Sequence, residues 1–117
     1  MVNPAEVPTA PVSELPSEGL LLVDVREQDE WAAGHAPDAL HIPLGDLPAR
    51  VDELAELPDD RQVYVVCRSG GRSARATMWL NSAGVVDAVN VAGGMKSWQT
   101  EGRALVTDTD GVPPTVL

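Results

Sequence analysis

The stretch VVCRSGGRSA, residues 65–74, sets the chain's one cysteine at the end of an apolar run, with Gly70 and Gly71 just beyond it and Arg68 and Arg72 flanking them. A thiol attacks only as its anion, and an unperturbed cysteine at pH 7 is about 3% thiolate. Three features of this stretch favour the anion. A helix starting near Ser73 turns its unpaired N–H groups toward the loop. Arg68 and Arg72 add positive charge, and the two glycines let the backbone curl until successive amides face inward as an anion-binding nest. Alone, a cysteine closing a strand reads as a small buried hydrophobe and a Gly-Gly pair as a turn. The combination points to a reactive Cys67 in a cradle formed by Arg68, Ser69, Gly70, Gly71, Arg72 and Ser73.

Such a loop needs a strand to deliver the cysteine and a helix to follow it. QVYVV (62–66) is a β-branched strand, and RSARATMWLNSAG (72–84) is a helix with Ala76, Met78, Trp79 and Leu80 available for packing and Gly84 as its stop. LLLVDV (20–25) reads as a buried strand, EQDEWAAG as a short helix anchored by Trp31 and ended by Gly34, and ALHI (39–42) as a second core strand. A helix is expected from Asp46 to about Leu57, closed by Pro58. AVNVAGG gives another strand and turn, and MKSWQTEG a last short helix. Residues 1–19, with Pro4, Pro8, Pro11 and Pro16, are expected to be extended, with at most a helical turn near Ser13–Leu15. This alternation implies an α/β fold: a central, mostly parallel sheet flanked by helices on both faces. In such sheets ligands bind beyond the carboxyl ends of the strands, where Cys67 falls.

Eighteen acidic against eight basic side chains give a formal net charge of −10, which argues against a nucleic-acid surface and against membrane binding through a basic face. Positive charge is scarce, so Arg68, Arg72 and Arg75 stand out. No apolar run approaches a membrane span and the N-terminal stretch does not read as a signal peptide, so a cytoplasmic location is expected. One cysteine allows no intramolecular disulfide, and His35 and His41 have no paired-ligand spacing with it, so neither metal nor cofactor is expected.

The chain resembles the single-domain rhodaneses, sulfurtransferases of the rhodanese-like family. The resemblance rests on LLVDVRE (21–27), EWAAGHAPDALHIPL (30–44), VYVVCRSGGRS (63–73) and VAGGMKSWQTEG (91–102), in that order. It implies a rhodanese-like domain over residues 6–105, between a flexible N-terminus (1–5) and a tail (106–117) that is either disordered or strapped across the domain. It also implies that Cys67 is the nucleophile that carries a persulfide, that residues 68–72 cradle the substrate anion, and that Ser73 opens the following helix. Three positions depart from the family pattern: Asp38 where Gly is usual, Ala36 where Ile is common, and Ala104 where Pro often follows the last Gly.

The expected chemistry is attack of the Cys67 thiolate on the sulfane sulfur of an anionic donor such as thiosulfate or a persulfide, followed by removal of that sulfur by cyanide, a thiol or a protein acceptor. With no second cysteine the sulfur must leave to an external acceptor. Asp24, Arg26 and His35 are expected to support the site structurally, His41 to lie within a strand, and Trp31, Trp79 and Trp98 to act as packing anchors. Two alternatives differ in class: a non-enzymatic sulfur-carrier or sensor module, and a cysteine-dependent phosphatase or arsenate reductase. The latter wants arginine six positions after the cysteine, where Ser73 stands; Arg72 comes at five.

Overall fold

The computed structural model describes residues 7–117, so the N-terminal segment expected to be flexible lies outside the described residues. Five parallel strands form one sheet: β1 (Thr9–Pro11), β2 (Leu21–Asp24), β3 (Leu40–His41), β4 (Val63–Val66) and β5 (Ala88–Ala92), in the spatial order β1-β5-β4-β2-β3. Four α-helices connect or follow them: α1 (Gln28–Ala33), α2 (Val51–Ala55), α3 (Gly71–Ala83) and α4 (Gly94–Thr100).

Strand residues divide by alternation between two cores, because successive side chains point to opposite faces. Val23, Val25, Val63, Val65, Cys67 and Ala88 join Ala76 and Leu80 of α3 and Leu54 of α2 on one face. Leu22, Val66 and Val91 join Met95 and Trp98 of α4 with Val12 and Leu15 on the other. The chain leaves β2 for β3 on one side and β4 for β5 on the other. The connections after β2 and β4 therefore diverge and open a crevice at the carboxyl edge between them.

Several elements differ from the sequence expectation. The helix expected over Asp46–Leu57 is broken into 3-10 turns at Leu44–Asp46 and Pro48–Arg50 before α2 begins, since Pro48 has no N–H to donate to an α-helical ladder. Within the proline-rich start, Thr9–Pro11 pairs with Asn90–Ala92 as an edge strand, a position that tolerates proline. The ALHI strand is a two-residue edge rather than a core strand. Trp79 is not a packing anchor: it is 40% exposed. The tail is a strap. Val106 pairs with His35, Thr115 N–H donates to the Ala33 carbonyl at 3.0 Å, and Val116 packs against the second core. Among the described residues no helix is long and apolar enough to cross a membrane.

Candidate active site

Cys67 follows β4 directly, on the face covered by α3, and is 1% exposed. Its flanks are aliphatic, yet the sulfur itself meets donors. Gly70 N–H donates to Sγ at 3.1 Å, and the Ser73 hydroxyl lies 3.3 Å from it. Gly70 has φ 120°, a conformation only glycine adopts freely, and this turns the chain back over the sulfur into α3. Burial raises the Cys67 pKa. The Ser73 hydroxyl and the amides of Ser73, Gly70 and Ser69 outweigh it together and leave the thiol below its ordinary value. The sulfur thus sits at the first turn of a 13-residue helix, facing its free N–H groups.

The main chain beside the sulfur is fixed from behind by α4. Met95 N–H donates to the Cys67 carbonyl at 2.8 Å and Lys96 N–H to the Arg68 carbonyl at 3.1 Å. Gly94, at φ 59°, allows this approach: a Cβ there would stand 2.5 Å from the Cys67 carbonyl oxygen and 2.6 Å from the Arg68 carbonyl group.

The arginines are held more tightly than the sequence suggests. Arg72 makes a two-pronged ion pair with Glu30 of α1, at 2.7 and 2.9 Å, which spans the crevice between the connections after β2 and β4. That pairing holds the Glu30 carboxyl at about 2 and raises the Arg72 guanidinium further. Arg68 is exposed at the rim, where its Nε donates to the Leu117 main-chain oxygen at 2.7 Å. Ser69 and Gly71 form the exposed lip of the loop.

The three residues expected to support the site stand beside the Arg72–Glu30 pair rather than at the sulfur. Asp24 and Arg26 form a fully buried pair, with Arg26 Nη2 2.8 Å from Asp24 Oδ2. The same guanidinium donates to the carbonyls of Gly34 at 2.8 Å and Glu30 at 3.3 Å, fixing α1 so that Glu30 faces Arg72. His35 stacks on Trp31 at 3.6 Å between centroids, and His41 of β3 stacks near Trp31 at 4.6 Å. His35 Nδ1–H donates to the Trp31 carbonyl at 2.8 Å, so the ring braces the end of α1 without reaching the sulfur. Asp38, standing where the family favours Gly, adopts φ 64°, a region Asp tolerates better than most residues.

Two site residues escape the sequence reading. Glu30 is accounted for locally, as the capping-box partner of Glu27, and nothing local points 42 positions ahead to Arg72. Asn90 left a signal: a polar residue inside the apolar strand AVNVA, now buried with Oδ1 2.5 Å from Ser73 Oγ.

Comparison with known proteins shows which family and fold this chain shares. The rhodanese-like domain family matches residues 10–101. A sulfurtransferase of Allochromatium vinosum is 40% identical over 90 residues, covering 77% of this chain and 81% of its own. The thiosulfate sulfurtransferase GlpE of Pseudomonas syringae is 32% identical over 94 residues, covering 80% and 86%. A rhodanese-like domain protein from Staphylococcus aureus superposes with a TM-score of 0.72 at 35% identity, covering 88% of this chain and 100% of that one. With the cysteine loop, the parallel sheet that presents it and these relatives in agreement, the chain belongs to the rhodanese-like domain family.

Proposed function

We propose that the protein moves a sulfane sulfur from an anionic donor, thiosulfate or a persulfide, to an external thiophilic acceptor through a Cys67 persulfide. The observation that carries this reading is the sulfur of Cys67 facing the Gly70 amide and the Ser73 hydroxyl at the start of α3. In the first step the thiolate attacks the outer sulfur of thiosulfate. A new S–S bond forms to Cys67, the old one breaks, and sulfite departs with its electron pair. The terminal sulfur of Cys67–S–S⁻ then carries the negative charge toward the loop, where preorganised amides suit an anion without rearranging. In the second step cyanide or a thiolate attacks that terminal sulfur and Cys67 leaves as thiolate.

In this scheme the arginines take different parts. Arg72 shapes the wall of the crevice with its charge shared with Glu30, while Arg68 at the rim is the cation that an arriving dianion meets first. Intact-mass measurement after treatment with thiosulfate, and separately with a low-molecular-weight persulfide, tests the reading. One added sulfur is expected on the protein, removed by cyanide as thiocyanate and absent from Cys67→Ala. A protein that takes up no sulfur from either donor is not a sulfurtransferase of this kind, and a docking or sensing role then replaces the reading. An adduct that forms but passes to no acceptor points to a carrier.

A further inference from the structure

Ser73 has one hydroxyl proton and three acceptors within reach: Cys67 Sγ at 3.3 Å, the Gly70 carbonyl at 3.3 Å and Asn90 Oδ1 at 2.5 Å. Cys67, Ser73 and Asn90 are 1%, 0% and 6% exposed, so water does not compete freely for that proton. With the Asn90 oxygen turned to Ser73, that nearest acceptor competes with Cys67 for the proton. Where it takes the proton, the Ser73 oxygen turns a lone pair to Cys67, which suits a protonated S–H. A half-turn of the Asn90 amide about its Cβ–Cγ bond exchanges oxygen for NH₂ at the same place. Nδ2–H then donates to Ser73 Oγ, and the hydroxyl proton is free to point at Sγ, which suits an anionic sulfur.

We propose that Asn90 is a positioning residue that sets the direction of the Ser73 hydroxyl, and through it favours the anionic sulfur at Cys67. Asparagine serves here because its amide presents either a donor or an acceptor from one rigid position on β5; an aliphatic residue, which this strand otherwise favours, presents neither. The charged groups around the sulfur do not orient the Ser73 hydroxyl, whose hydrogen-bond partners are Cys67, Gly70 and Asn90. Arg72 of α3 is shared with Glu30, Arg68 donates to Leu117, and Arg26 at the end of β2 is engaged by Asp24 and by the Gly34 and Glu30 carbonyls. The inference rests on the persulfide reading only for its purpose, since the proton arrangement exists at the resting thiol.

The test follows thiolate formation by ultraviolet absorbance against pH in the full chain, a readout independent of sulfur transfer, with sulfur loading by mass measured in parallel. Asn90→Asp offers only acceptors and holds the Ser73 proton away from Sγ, so the titration is expected to move up by about one unit, leaving about tenfold less thiolate at pH 7. Asn90→Ala removes the donor and lets the hydroxyl turn to the Gly70 carbonyl, moving the titration in the same direction by less. A Ser73→Ala background separates the relay from the bare charge of aspartate: there Asn90→Ala is expected to have no effect, and the shift from Asn90→Asp to shrink. Equal shifts from Asn90→Ala with and without Ser73, or no shift with Ser73 present, overturn the proposal. Loss of sulfur loading in the wild type with the titration coupling intact overturns the persulfide reading instead.

Discussion

At Glu30 and Arg72 a single ion pair joins two connections that the chain separates by 42 positions, and its acid response follows from the chemistry. The Glu30 carboxyl lies at about 2, below its ordinary 4.5, because Arg72 donates to both of its oxygens; partial burial works against this. A carboxylate with a lowered folded-state pKa stabilises fully above its unfolded value, and that stabilisation is lost as pH falls through the folded one. Glu30→Gln is therefore expected to lower the melting temperature by several degrees at pH 7, from a loss of about 2 kcal/mol. The gap should stay constant down to about pH 5 and close toward pH 2. Thermal unfolding of both proteins across that range measures it. A gap that is flat to pH 2 means that the pair adds nothing specific to the carboxylate.

Among the elements, α4 meets the cysteine loop through the main chain of its first turn. Its amides hold the Cys67 and Arg68 carbonyls, and Gly94 gives way for them. Gly94→Ala forces a methyl group onto main-chain atoms that cannot yield and strains a residue at φ 59°, so a loss above about 3 kcal/mol is expected. Gly102→Ala is the control: φ is 77° there but nothing lies within 4 Å, so only the backbone cost of about 1 kcal/mol remains. Denaturant unfolding separates the two, and equal losses refute the contact argument. The elements that the sequence made legible were those with local signatures. VYVV ran apolar into the cysteine loop, LLVD did the same beside it, and the glycine pair announced the turn into α3. The elements it hid depended on partners: Thr9–Pro11 is a strand only because β5 presents a free edge, and Pro48 cuts an apolar periodicity that otherwise reads as one helix. The cysteine loop was legible as a loop, while the fixing of its arginines by Glu30 and Leu117 was not, because both contacts are long-range.

Across the whole molecule the tail ties the bracing residues of α1 to the rim of the site. It runs from the pairing of His35 with Val106, past Thr107 Oγ1 donating to the Ala32 carbonyl at 2.8 Å, to Thr115 against Gly34 and Leu117 at Arg68. Gly34 offers a clean probe of this strap. Its φ of 177° and ψ of 130° are extended backbone open to any residue, so Gly34→Ala carries no conformational penalty of its own. The added Cβ would, however, meet the main chain of Thr115, 2.7 Å from its nitrogen and 2.9 Å from its carbonyl carbon. The variant is expected to keep the sheet and lose the end of the strap. Exchange protection should fall at Thr115, and the net stability loss should stay near 1–2 kcal/mol because only a few edge hydrogen bonds are released. Arg68, freed from the Leu117 oxygen, should then meet an anionic donor without displacing the tail, lowering KM for thiosulfate while leaving kcat largely unchanged. Hydrogen exchange paired with steady-state kinetics decides it: intact protection at Thr115 shows that the strap absorbs the methyl group, and a released strap with unchanged KM shows that Leu117 does not obstruct the rim.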